Sequence, residues 1–289
     1  MSQVSDYDCS VTEQAQPDIG EEEESGHSRG FDTSVPHPAR IYDYWLGGKD
    51  NFAADRQAAE QILAVMPFMR ELSRANRMFL ATAVHYLVQA GVRQFLDIGT
   101  GLPAANNTHE VAQREAKDAR VVYVDNDPIV LSHAQALLAS TPEGACDYLD
   151  ADARDTERIL EQAGRTLDFG KPVALTMLAI LHFIPDADRP HAIVSRLMKA
   201  LPSGSYLAIS HAASDIRAAA IETASRGYNA NSSAAITARP RRAIHHFFDG
   251  LNLVPPGLVP LGCWTPGGTA GAHSPETSLP SYSGVARKP

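Results

Sequence analysis

From residue 94 onward the chain alternates short apolar runs with amphipathic stretches. Residues 94–98, 120–124, 147–149, 173–178 and 206–210 are brief runs rich in aliphatic side chains, with Gly, Pro, Asp or Asn close by, and they read as buried strands. Helical patterns follow them: one opening near Asn107, one running through Leu138, one over about 155–163, and one over 187–200 after Pro185-Asp186. Regular strand-helix repetition predicts a parallel sheet with helices on both faces. Ahead of it, residues 53–66 place Ala54, Ala58, Ile62 and Val65 on one helical face. Pro67 interrupts, and a second helix over 68–89 carries Leu72, Met78, Phe79, Val84 and Leu87 until Gly91 ends it. After residue 213 the pattern loosens. Helices are expected over 214–226 and 240–248, and strands over 258–264 and 282–286, the last two around a Gly/Pro/Ser/Thr-rich loop. Two late strands joined by a loop suit an antiparallel edge on the parallel sheet. The expected fold is therefore α/β and doubly wound, with a mostly parallel seven-stranded sheet, an antiparallel C-terminal edge and a helical N-terminal cap.

Composition narrows this picture. Of 289 residues, 44% are hydrophobic and 20% charged, which is ordinary for a globular protein. The net charge of −9 is concentrated at one end, because eight acids precede the first basic residue, Arg29. The body is close to neutral, so no large basic field exists to hold a nucleic-acid backbone. Residues 1–34, rich in Glu, Ser, Gln and Gly, are expected to be a disordered acidic leader. Residues 35–91 are expected to form an N-terminal lid and helical cap, and 92–289 the main domain. Cys9, Cys146 and Cys263 are scattered without CxxC spacing, so neither a disulfide framework nor a structural zinc is expected. His245-His246 with His182 or His211 lacks the i, i+4 spacing of a helical metal site, and no metal is expected. No run approaches the ~18 apolar residues of a membrane span. A cytoplasmic protein that binds no membrane is the expectation.

The most informative segment is Phe95-Leu96-Asp97-Ile98-Gly99-Thr100-Gly101-Leu102-Pro103-Ala104, an apolar strand running into a glycine turn. Gly99, Gly101 and Ala104 match the G-x-G-x-x-G/A dinucleotide fingerprint. Two features favour S-adenosylmethionine instead. Asp97, two residues before Gly99, can hold the ammonium of the methionine part, where a pyrophosphate would meet repulsion. Asp125-Asn126-Asp127 ends the second strand, where an acid can take both ribose hydroxyls, and Asp152-Ala153-Arg154 follows the third, where an acid can accept the adenine amine. Each Asp alone could be a helix cap. Three in register along one sheet rim describe a ribonucleoside carrying an ammonium group.

Residues 95–211 resemble a class I S-adenosylmethionine-dependent methyltransferase, whose sheet is Rossmann-like. The combination of PHPARIYDYWLGGKDNFAADR (36–56), FLDIGTGLP (95–103), NTHEVAQ (107–113), VVYVDNDPIVL (121–131), DADARD (150–155) and FFDGLNLVPPGLVP (247–260) is similar to the bacterial DUF574, or S-adenosyl methyltransferase, family. The resemblance covers the chain from about Val35 to Pro289. It departs at Pro103, where the methyltransferase loop commonly has a third glycine.

The segment 36–52 is the natural lid. Its aromatic residues Tyr42 and Tyr44 would cover the cofactor, and Arg40 would pair with the methionine carboxylate. Gly47-Gly48 would let Asp50 and Asn51 fold over the site; the same segment can equally be read as a strap anchored by Tyr42 and Trp45. His182, after the fourth strand, is the best-placed titratable residue for a catalytic role, and a packed core histidine is the competing reading. The functional expectation is methyl transfer to a small molecule, with S-adenosylhomocysteine as the other product. A cofactor-binding regulatory or accessory protein and an NAD(P)-dependent oxidoreductase are the alternatives.

Overall fold

The computed structural model describes residues 32–289 except 138–139, 232–234, 270, 272–273 and 275. The expected acidic leader therefore lies, for residues 1–31, outside the described residues. Among the described residues the helices are α1 (Pro38–Leu46), α2 (Ala53–Val65), α3 (Met69–Gln89), α4 (Thr108–Glu115), α5 (Pro128–Leu137), α6 (Thr156–Ala163), α7 (Pro190–Ala200), α8 (Ala218–Asn231) and α9 (Arg241–His245). The strands are β1 (Gln94–Ile98), β2 (Arg120–Asp125), β3 (Ala145–Asp150), β4 (Ala174–Leu178), β5 (Tyr206–Ala212), β6 (Asn252–Leu253), β7 (Val259–Pro260) and β8 (Ser281–Arg287).

The first five strands are parallel, in the order β3-β2-β1-β4-β5. β8 adds antiparallel to β5 along seven residue pairs, and the two-residue strands β6 and β7 pair with its other edge. The strand order reverses between β1 and β4, which places a crevice beyond their C-terminal ends. Side-chain alternation builds two cores. Leu96, Ile98, Val122, Val124, Leu175 and Met177 pack with residues of α6, α7 and α9. Phe95, Val121, Tyr123, Ala174 and Ala208 pack with residues of α3 and α4. Asp97 and Thr176 share the parity of this second face, so a carboxylate is buried there among helices. A third cluster, from Ile41, Trp45, Ala59, Ile62, Met66, Ile221 and Tyr228, joins α1, α2 and α8 into a cap.

Local chemistry sets the element ends. Pro38 stands in the first turn of α1, where its missing N–H costs no hydrogen bond, and Gly47 (φ 85°) ends the helix. The Asp55 carboxylate accepts the Phe52 N–H at the start of α2, and Glu110 accepts the Asn107 N–H at the start of α4. Several boundaries differ from expectation: α8, expected over 214–226, runs Ala218–Asn231, and β3, expected over 147–149, runs Ala145–Asp150. The aromatic segment after Pro38 is itself a helix. The helix expected from 187 begins at Pro190, because residues 186–188 make a 3-10 turn and Arg189 takes φ 51°. The strand expected over 258–264 shrinks to Val259–Pro260, and β6 appears before it, so the sheet has eight strands. No helix of the described residues is long and apolar enough to cross a membrane.

Candidate active site

The glycine turn leaves β1 with Gly99 at φ 76° and Gly101 at φ 64°, a region that favours glycine. A Cβ on Gly99 would collide with the Ile180 side chain at 2.5 Å, whereas one on Gly101 would meet nothing within 4 Å. Gly99 thus seats the loop against the strand β4 exit, and Gly101 borders open space. The Asp125 carboxylate at the end of β2 fixes the turn by accepting the Gly101 N–H at 2.9 Å and the Asp127 N–H at 3.0 Å. Burial pushes the Asp125 carboxyl above its ordinary value, against these hydrogen bonds.

A cavity of about 540 Å³ lies over these strand ends. Its lining includes Asp97, Gly99, Thr100, Gly101, Asp125, Asn126, Asp152, Ala153 and Arg154, together with Tyr42 and His182. Asp97 is 5% exposed, and its two oxygens accept the hydroxyls of Thr108 (2.6 Å) and Thr176 (2.7 Å). Burial raises its pKa, and those hydroxyls and the nearby Arg77 charge only partly oppose that. A carboxylate in this setting lacks a direct cationic partner among the described residues, and an ammonium group would supply one. Asp152 is already held by the Arg154 guanidinium at 2.6 Å, which lowers its pKa, and Arg154 also reaches Asp188 at 2.8 Å.

Arg77, on α3, carries a signal that the sequence reading missed. Its Nη2 donates to the carbonyls of Ala105 and Asn106, both at 2.9 Å, while its Nε is buried without a partner. Thr100 Oγ1 is likewise buried and unpartnered. Both residues line the cavity, and a smaller recess beside it shares Arg77, Asp97, Thr100 and Gly101. A half-buried guanidinium, a buried carboxylate and an unpaired hydroxyl at one spot suit the ammonium and carboxylate of a methionine moiety. Nothing in the helical period of α3 marks Arg77, because the loop it faces arrives from about thirty residues away.

Several residues expected at the site are turned elsewhere. Arg40 is 3% exposed, and its Nε donates to Asp55 at 3.0 Å within the cap, so it does not reach the cavity. The Tyr44 hydroxyl lies at the surface on Glu60, at 2.6 Å. Asp127 accepts the Ile129 N–H at 2.9 Å and pairs with His37 Nδ1 at 2.9 Å, and it is absent from the lining. Asn51 donates to Asp43 at 2.8 Å, and Asp50 faces His133 at 3.4 Å. Together these tie the glycine turn of the cap to itself and to α5. Tyr42 does line the cavity, and a polar chain holds it: Ser210 Oγ donates to Asn76 Oδ1 (2.6 Å), Asn76 Nδ2 donates to Tyr42 Oη (3.0 Å), and Tyr42 donates to the Ser73 carbonyl (3.0 Å).

His182 sits in the short turn after β4, edge-on to His211 with ring centroids 5.6 Å apart. Its Nδ1 is buried and unpartnered. Burial, reinforced by the Arg239 charge, pushes its pKa down to about 3. The imidazole is thus neutral at physiological pH and a weak proton acceptor. Arg239 organises this turn. It is 3% exposed and donates to the carbonyls of Leu181 (3.0 Å) and Ile184 (2.8 Å), to Asp186 (2.7 Å) and to His211 Nε2 (2.9 Å). No group of three or more His, Cys, Asp or Glu that could hold a metal ion occurs among the described residues.

A doubly wound sheet with acids ending adjacent strands around a glycine turn, at the point where strand order reverses, defines a nucleoside-cofactor enzyme of the class I methyltransferase type. Residues 24–289 match the family model described as S-adenosyl methyltransferase. A DUF574 family protein from Streptomyces avermitilis is 46% identical, with a TM-score of 0.84, over 89% of this chain and 99% of its own. A candidate methyltransferase from Thermobifida fusca is 39% identical, with a TM-score of 0.80, over 89% of this chain and 96% of its own. The plantazolicin methyltransferase BpumL, solved with S-adenosylhomocysteine, shares the fold at 12% identity and a TM-score of 0.52, over 87% of this chain and 96% of its own. No curated protein matches the chain. The chain belongs to the S-adenosyl methyltransferase family, and its activity is S-adenosylmethionine-dependent methyl transfer.

Proposed function

We propose that this methyltransferase acts on a small molecule held over the C-terminal ends of β1 and β4. In this reading Asp97, Thr100, Gly101 and Arg77 hold the amino-acid end of the cofactor. Asp125 and Asn126 hold the ribose hydroxyls, and Asp152, Ala153 and Arg154 border the adenine. Arg77 takes the part first expected of Arg40, and Tyr42 remains as the one aromatic of the lid pair in the cavity wall. A bacterial, cytoplasmic setting belongs to the same proposal, supported by the bacterial sources of both close relatives. The supporting observation is the convergence of Gly101, Asp125, Arg77 and Thr100 on a single cavity, with Arg77 Nε and Thr100 Oγ1 left unpartnered beneath its surface.

When bound, S-adenosylmethionine supplies a methyl group already activated by a neutral leaving group. The protein's task is then alignment and exclusion of water. Asp125 locks the glycine turn through the Gly101 N–H, and Asp97 lies ready to neutralise the ammonium. His182, neutral by its low pKa, lines the cavity and offers the acceptor a hydrogen bond from its imidazole. Held at Asp97 and the glycine turn, S-adenosylmethionine would give its methyl group to an acceptor lying against His182 and would leave as S-adenosylhomocysteine.

Calorimetric titration with S-adenosylhomocysteine, S-adenosylmethionine and NADH tests the assignment. The two sulfur compounds are expected to bind, with affinity at least about tenfold weaker in Asp125→Asn. Binding of NADH alone would sink the assignment and return Gly99, Gly101 and Ala104 to the dinucleotide fingerprint.

A further inference from the structure

The cavity lining divides by element. Among the described residues, its Asp and Arg side chains are Arg77, Asp97, Asp125, Asp152 and Arg154, all gathered around the strand ends and the glycine turn. Another wall comes from α2, α3, α8 and the turn after β4: Ile62, Met66, Met69, Leu72, Phe183 and Ile221, with the uncharged Ser225 and Tyr228 of α8 beside them. The charged groups packed near that wall face away from it. Arg217 lies over the Phe68 ring and donates to the carbonyls of Ser278 and Thr277, and Arg70 pairs with Glu60 at the surface. Arg239 stands behind His211, satisfied by Asp186 and two carbonyls. The polar lining groups Tyr42, Asn76 and Ser210 satisfy one another. His182 Nδ1, by contrast, is buried without a partner.

A charged ligand on this wall would lose its hydration with no counter-charge to replace it, and an apolar one would gain from burial. Resting on the cofactor assignment above, we infer that this wall is the methyl-acceptor site. It takes an uncharged, predominantly aromatic or aliphatic molecule that presents one hydrogen-bonding atom to the His182 imidazole. Amino acids, nucleotides and phosphorylated metabolites are excluded as acceptors. Selection comes from the missing counter-charge as much as from apolar contact, because an ion on this wall would stay unpaired.

Two probes that share a skeleton separate charge from shape: neutral N-phenyl-1-naphthylamine and its sulfonated counterpart 8-anilinonaphthalene-1-sulfonate. With the full chain saturated in S-adenosylhomocysteine, the neutral probe is expected to brighten on binding at one-to-one stoichiometry. It should bind at least about tenfold more tightly than the sulfonate. Met69→Glu adds an acid in the first turn of α3, where a helix tolerates one, and should weaken the neutral probe about fivefold or more while leaving S-adenosylhomocysteine affinity unchanged. Leu72→Gln gives a second, milder reading of the same wall. Equal or tighter binding of the sulfonate, no saturable binding of the neutral probe, or indifference to both substitutions would overturn the acceptor assignment alone. Failure of S-adenosylhomocysteine to bind the unmodified protein would overturn the cofactor assignment and this one with it.

Discussion

Arg40 does not reach the cavity where it was expected to pair with the cofactor, and in the proposed reading Arg77 takes that part. Arg40 lies in the motif-rich segment 36–56, yet its charge is spent on the fully buried Asp55, which also accepts the His37 and Phe52 N–H groups. Arg40→Met leaves that carboxylate buried and unpaired. Stability in urea melts is expected to fall by about 3 kcal/mol, with the S-adenosylhomocysteine affinity of the folded protein unchanged. Arg77→Leu should do the reverse, weakening S-adenosylhomocysteine about tenfold or more in calorimetry with a smaller change in the melt. If Arg40→Met lost the cofactor and Arg77→Leu did not, the two roles would have to be exchanged. Sequence marked Asp97, Gly99, Gly101 and Asp125 because a strand end and its turn are local in the chain. It missed Arg77, whose proposed role depends on a contact between distant segments. Asp127 was drawn into the same motif by adjacency, and the fold gives it to His37 and the start of α5.

At the scale of elements, β1 was legible to the residue, and β2, β4 and β5 came within two residues. A buried parallel strand is an unbroken apolar run with a turn at each end. Less legible were the short helix α1, whose aromatic residues also suit a strap, and the two-residue strands β6 and β7, which exist only because β8 offers them an edge. The turn between β4 and α7 is a further case. Arg239, fifty or more residues later, adds side-chain donors to the turn's own backbone hydrogen bonds and holds the Leu181 and Ile184 carbonyls and Asp186 together. Arg239→Met is expected to destabilise the protein by about 3–5 kcal/mol, because the Ile184 carbonyl loses its donor, the Leu181 carbonyl keeps only the Ile184 N–H, and His211 Nε2 loses its partner. Hydrogen exchange should show the loss of protection concentrated around 181–186. A uniform loss across the sheet would mean that Arg239 serves the core in general and not the turn.

For the whole molecule, four buried or half-buried histidines share one direction. Desolvation lowers the pKa of His109, His182, His191 and His211, with His182 down to about 3. A histidine whose folded pKa is depressed binds its proton in the unfolded chain first. Its stability contribution is complete above the unfolded value of 6.5 and is lost as pH falls toward the folded value. Asp43, Asp97 and Asp125, with pKa values raised above 3.8, act in the opposite sense at lower pH. Urea melts are therefore expected to show stability falling between pH 6.5 and 5, about 2 kcal/mol of it from His182 alone. His182→Phe should flatten that limb. An unchanged pH slope in this variant would show that His182 titrates freely.

The position of β8 has a consequence for synthesis. Its seven residues lie between β5 and the short strands β6 and β7, so a strand made after both of them is the one that joins them. Ser281, at its start, also lines the cavity. On the ribosome, everything through β7 is present before the sheet can be finished, and β5 waits with one edge open until residue 287 has emerged. A nascent chain paused before that point exposes an unpaired apolar strand, Tyr206–Ala212, to whatever else can pair with it. The segment that contributes Ser281 to the cavity wall is thus also the one that closes the open edge of β5.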